Sequence, residues 1–143
     1  QQLLDNFKNH YRNNWLGSTW PPNVMHVDTW DLVGGMSVEF SPGMYSDPDL
    51  SMKMYLGGVR IFEGVGKSLV YHFGTKSTKR IKKNKGRETF LLKWGISAKM
   101  FSNNILKRGL DAQNNAPEKE INNKYFSKNK FKRLLACLKS KGI

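Results

Sequence analysis

Two carboxylates two residues apart, Asp47 and Asp49, stand in the run Ser46-Asp47-Pro48-Asp49 and give the chain its strongest chemical signal. The run predicts a helix start: Ser46 suits the cap, Pro48 the first turn, and Asp49 the reciprocal acid of a capping box. On position alone Asp47 complements the helix dipole. A carboxylate fixed in this way also meets the requirement of general-base chemistry, a group held within hydrogen-bond reach of a proton. His72 ends the apolar run Ser68-Leu69-Val70-Tyr71, a place where side chains face a cleft, although a lone histidine there is ordinarily a hydrogen-bonded surface residue. His10 and His26 read as structural. Gly34 and Gly35 allow close backbone approach to a ligand, and a tight turn explains them equally well. Trp20 and Trp30 offer flat faces for stacking or belong to the core. Lys76, Lys79, Arg80, Lys82 and Lys83 crowd one stretch, either to meet an anion or as a solvated loop.

Positioning these groups calls for a mixed α/β segment of short elements, without internal repeats or low-complexity tracts. Leu3, Leu4, Phe7 and Tyr11 predict a helix over residues 3–15, with Gly17 as its stop. Val24-Met25-His26-Val27, after Trp20-Pro21-Pro22, predicts a buried strand. Gly34-Gly35 and Ser41-Pro42-Gly43 place residues 38–40 in a loop or short extended segment. The helix begun at the acidic run should bury Leu50 and Met54 on one face and end at Gly57-Gly58. Strands are predicted over residues 59–62 and 68–71, joined by a turn at 63–67, with a lysine-rich loop over 73–86. Phe90, Leu91 and Trp94 give the apolar face of a helix ending at Gly95. Ser97 caps a second, using Ala98, Phe101 and Ile105 and closed by Gly109. After a polar stretch at 111–123, Phe131, Leu134, Leu135 and Leu138 form the stripe of a terminal amphipathic helix flanked by lysines.

The length of 143 residues fits one ordinary domain with a real core. The chain begins Gln-Gln, so it is expected to be a processed product or a piece of something longer. No stretch approaches the roughly 18 continuous apolar residues of a membrane span. Cys137 is the only cysteine, which excludes an intrachain disulfide and a cysteine-based zinc site built from this chain alone. A reducing, cytoplasmic setting is the expectation. Residues 1–66 carry a net charge of −3, so within the chain's total of +13 the part after Gly66 carries +16. Such a basic half attracts polyanions: phosphates, nucleic acid or an anionic membrane face.

In the order Trp30-Asp31-Leu32-Val33-Gly34-Gly35, then Ser46-Asp47-Pro48-Asp49-Leu50-Ser51-Met52-Lys53-Met54, Gly58, and Val70-Tyr71-His72-Phe73-Gly74, the chain resembles the C-terminal, acceptor-side half of inverting family 2 glycosyltransferases with the GT-A fold. The phrase TFLLKWGIS extends the likeness to a subgroup of that family, so about two-thirds of the chain is covered. The resemblance implies a partial GT-A fold, a short mixed sheet with flanking helices, over residues 1–110. Residues 111–143 then form a polar linker and a basic amphipathic C-terminal helix. It implies Asp47 as the base that deprotonates an acceptor hydroxyl, with Asp49 a secondary site residue. It implies His72 as a ligand of Mn or Mg, the metal that neutralises the diphosphate leaving group. Gly34, Gly35 and Trp30 would lie beneath the sugar, and Lys76 beside the diphosphate. The expected partners are a nucleotide-sugar donor and a saccharide or other hydroxyl acceptor.

Two departures stand out. Ser46 occupies the place of the family's Glu, and no Asp-x-Asp metal motif precedes Trp30. The chain is therefore expected to be a fragment of a hexosyltransferase, inactive by itself, with an unpaired sheet edge at residues 24–27 open to self-association. The competing readings are a noncatalytic remnant and a nucleic-acid-binding module using Tyr71, Phe73 and Trp94 as stacking partners. The lysines form no recognisable binding motif, so nucleic acid is not the expected partner.

Overall fold

A computed structural model of the chain describes residues 2–7, 12–42, 44–68, 70 and 84–140. The acidic run opens α3 (Ser46–Leu56), the helix around which the core is assembled; before it come α1 (Gln2–Phe7), β1 (Trp15–Leu16), α2 (Val27–Val33) and a 3₁₀ turn at Val38–Phe40. After it come β2 (Glu63–Gly64), α4 (Gly86–Trp94), α5 (Ala98–Met100), which continues into a π-helical turn at Phe101–Ile105, and α6 (Asn123–Ser140). Among the described residues the architecture is mixed α/β, with helices and one two-stranded antiparallel sheet pairing Trp15 with Gly64 and Leu16 with Glu63.

Leu50 and Met54 are buried as their spacing predicts, and Asp49, Ser51, Met52 and Tyr55 are buried with them, so α3 is enclosed on several sides. Around it lie Phe40, Phe62, Phe90, Ile96, Phe101, Ile105, Leu106 and Tyr125, contributed by elements from both ends of the chain. The Tyr55 ring meets Phe101 edge-on at 5.7 Å between centroids, and its hydroxyl donates to the Glu118 carbonyl at 2.7 Å. Burying a large apolar side chain contributes about 1.5–3 kcal/mol, which makes this cluster the main stabilising feature of the fold. Residues 112–122 form no helix or strand, and Asp111 makes an isolated antiparallel bridge with Trp15, but the segment is tied to this core. Glu118 donates its N–H to Ile105 at 2.8 Å, and Arg60 reaches the Lys119 carbonyl at 3.1 Å.

Several expected elements take another form. Residues 24–27 are not a strand: Val24 is fully exposed, and His26 caps α2, its Nδ1 accepting the Asp28 N–H at 3.3 Å. A run of four residues with three apolar side chains is too short to separate a strand from a helix start, and Val27, Trp30 and Val33 continue at helical spacing. The expected sheet edge at residues 24–27 is accordingly absent. Residues 59–62 form no strand, although the Phe62 carbonyl accepts the Ser18 N–H at 3.2 Å, and the strand β2 follows directly at Glu63–Gly64, inside the predicted turn. Of residues 68–71, Ser68 and Val70 belong to no element, and Leu69 and Tyr71 lie outside the described residues. Of the helix predicted over residues 3–15, the part up to Phe7 is helical in α1 (Gln2–Phe7), residues 8–11 lie outside the described residues, and Trp15 is in β1.

After residue 84 the predicted Gly95 stop and Ser97 cap are present, but the second helix passes into a π-helical turn that ends at Ile105 rather than at Gly109. α4 ends at Gly95, whose N–H donates to Leu91 at 2.9 Å, and Ser97 caps α5 by accepting the Met100 N–H at 3.2 Å. The predicted terminal helix is present, but Phe131, Leu134 and Leu135 are exposed, whereas Tyr125, Asn129 and Ala136 are buried. Among the described residues, no helix is long and apolar enough to cross a membrane.

Candidate functional site

Asp47 and Asp49 leave the first turns of α3 toward different surroundings. Tyr45, at φ 81°, takes the cap position, so the helix begins at Ser46 and Asp49 falls one residue beyond the capping-box position. Neither the Ser46 cap nor the Asp49 capping acid is realised. Asp49 instead turns inward and is completely buried. Ser37 donates its hydroxyl to Oδ2 at 2.6 Å, while the Trp94 indole N–H donates to Oδ1 at 2.7 Å and the Lys93 ammonium approaches Oδ1 at 2.9 Å. Lys93 also bonds Glu39 at 2.7 Å. This bond is the main reason that the Glu39 carboxyl lies below its ordinary value. Burial pulls the Lys93 ammonium down, but the bonds to Glu39 and Asp49 outweigh it and leave its pKa raised. A buried carboxylate with this many donors is a structural tie, with both oxygens engaged by protein groups.

Asp47 is half-buried on the wall of an open depression of about 530 Å³ lined by Pro21, Asn23, Val24, Met25, Val27, Trp30 and Met36. Desolvation raises its carboxyl above the ordinary 3.8, the reverse of what a helix terminus alone predicts. The apolar wall accounts for the sign. The backbone under Asp47 is held by Ser51, whose hydroxyl donates to the Asp47 carbonyl at 2.9 Å.

Gly34 and Gly35 both adopt positive φ, 68° and 59°, and together end α2 and turn the chain. Gly35 lies against Trp30: a Cβ there would stand 2.7 Å from the indole Cζ2, so only glycine leaves the ring its place. The Lys53 ammonium on α3 bonds the Gly35 carbonyl and fastens this turn to the helix that carries Asp47.

The structure therefore brings Asp47, Trp30 and the two glycines together through the packing of α2 on α3, and it separates Asp49 from them. His72 and Lys76 lie outside the described residues. Sequence reasoning missed Ser37 and Lys93 as partners of Asp49, and Lys53 as the tie to Gly35. Nothing local marks them, since a lysine that bonds across the fold has the same sequence signature as a solvated one. Met25 and Met36 were missed as wall residues, although methionine is a frequent lining of adaptable pockets.

The volume is within the usual range for small-molecule sites. The indole face suits the apolar face of a sugar ring, and the desolvated carboxylate suits a hydroxyl proton. Among the described residues, no group of three or more His, Cys, Asp or Glu side chains forms a metal site. These residues do not fit a divalent ion: the Asp49 oxygens are already engaged by protein donors, and Asp47 is a single carboxylate. No family model, curated protein or solved structure matches the chain.

Proposed function

We propose that this chain is the acceptor-side half of a sugar-nucleotide-dependent, inverting glycosyltransferase of the GT-A type, with Asp47 as its general base. The observation that carries this reading is the pairing of a desolvated, pKa-raised Asp47 with the Trp30 face in one open depression, backed by the Gly34-Gly35 turn. A base works best when its pKa lies near the operating pH, and burial moves Asp47 in that direction.

In the proposed reaction the acceptor hydroxyl oxygen attacks the anomeric carbon of the donor sugar as its proton passes to the Asp47 carboxylate. The bond from that carbon to the diphosphate breaks, and the nucleoside diphosphate leaves with the bonding electrons. Trp30 orients the acceptor, and the apolar wall of Met25, Val27 and Met36 limits water at the carboxylate. Asp49 has no part in this step; it holds α3 against α4 so that Asp47 stays in place. The resemblance also implies a Mn or Mg ion, which would neutralise the leaving diphosphate.

The test has two arms. In an NMR titration of the chain with mono- and disaccharides, the Trp30 indole and the Gly35 amide should shift together. In the complete gene product assayed with nucleotide sugars, Asp47→Asn should lower transfer by about 10²–10⁴-fold, the usual contribution of a positioned general base. Full activity of that variant would overturn the assignment.

A further inference from the structure

The terminal helix presents its apolar stripe to the outside. At about 100° per residue, Phe131, Leu134, Leu135 and Leu138 share one side of α6, and Tyr125, Asn129 and Ala136 share the opposite side. The second side is the buried one. It packs on α4, where Arg133 donates to the Leu92 carbonyl at 3.2 Å, and meets α5, where Asn129 donates to the Met100 sulfur at 3.3 Å; Asn129 is also held within α6 by its bond to the Tyr125 carbonyl at 2.8 Å. Phe131 is 70% exposed, Leu134 56% and Leu135 42%, values that place these side chains in water when the chain is alone. Exposed Lys130, Lys132 and Lys139 border the stripe, and the helix contains no Asp or Glu.

We infer that this face of α6 docks on an anionic lipid surface. Its complement must be apolar along the centre and negative along both rims, which describes the acyl boundary of a bilayer beneath a layer of acidic headgroups. A second copy fits poorly, because pairing two such faces would bring their lysines together. A groove that wraps the helix fits poorly too, since the inner side of α6 is already held by α4 and only one side is free to meet a flat surface. The helix would lie in the interface plane with the body of the chain on the aqueous side. This inference is independent of the glycosyltransferase reading.

The experiment is co-sedimentation of the chain with vesicles of phosphatidylcholine alone and of phosphatidylcholine mixed with phosphatidylserine. It compares the parent with a stripe variant, Phe131→Ser with Leu134→Ser and Leu135→Ser, and a rim variant, Lys130→Gln with Lys132→Gln and Lys139→Gln. Circular dichroism confirms that each keeps its helix, as expected for changes at exposed positions. The parent should bind the anionic vesicles and not the neutral ones. Both variants should lose binding by about tenfold or more, because interfacial binding sums buried apolar area and charge attraction. Equal binding by the stripe variant would reduce the effect to charge alone and overturn the proposal, as would equal binding to neutral vesicles or none to either. A stripe-dependent dimer in ultracentrifugation, or a stripe-dependent complex with calmodulin as an acidic helix-binding probe, in place of vesicle binding would overturn it as well.

Discussion

Asp47 and Asp49 are two residues apart and chemically identical, and their surroundings give them opposite parts. Asp47 carries a raised pKa from desolvation. Between the ordinary 3.8 and its higher folded value, the folded chain holds more protons than the unfolded chain, so this group lowers stability progressively as pH rises through that window. Above the folded value the cost is complete. Asp47→Asn removes it, so the variant should melt at or above the parent temperature at pH 7, with the difference shrinking toward acid pH. A lower melting temperature at pH 7 would contradict this and give the helix terminus the larger effect. Loss of transfer with a gain in stability is the pattern expected of a functional residue held in a costly place. Asp49→Ala should behave in the opposite way. It leaves the Trp94 indole N–H and the Ser37 hydroxyl without their acceptor, at about 1–3 kcal/mol each, while Lys93 keeps Glu39. Urea unfolding should show a loss of about 3 kcal/mol, and a loss below about 1 kcal/mol would contradict the buried tie.

Among the elements, the joint between α2 and α3 decides the geometry of the site. Gly34 and Gly35 share a positive φ of similar size, yet a Cβ at Gly34 would meet nothing within 4 Å, whereas one at Gly35 would strike the Trp30 ring. The pair therefore separates backbone strain from displacement of Trp30. Gly34→Ala should cost about 1–2 kcal/mol, the left-handed penalty for a residue with a side chain, and leave Trp30 undisturbed. Gly35→Ala should cost more and also change the tryptophan fluorescence and the saccharide shifts. Equal effects from the two substitutions would show that Trp30 is not held by Gly35. The same joint explains why the residues after Pro22 turn helical: His26 caps α2, and α2 in turn packs on α3.

Across the whole molecule, Trp20, Val24, Ile61, Val65 and Val70 line a groove of about 700 Å³ beside the small sheet. Apolar association is therefore expected from this groove, while the predicted edge at residues 24–27 has no strand to offer. Val24 and Ile61 are 100% and 73% exposed, so Val24→Asp with Ile61→Asp should change stability by no more than about 0.5 kcal/mol each. The double variant should nevertheless reduce the fluorescence of an apolar dye, and unchanged dye binding would show that the groove does not present its apolar side chains to solvent. What the sequence determined by itself is the content set by near neighbours along the chain. The start of α3 within one residue, the burial of Leu50 and Met54, the Gly95 stop, the Ser97 cap and the lysine-bordered stripe of α6 all depend on caps and spacings a few residues long. Tertiary structure alone decided which side of α6 is buried and that residues 24–27 are not a strand. It also decided that Asp49 is a structural tie while Asp47 faces a cleft, because the partners of Asp49 lie 12 and 45 residues away, where no local spacing records them.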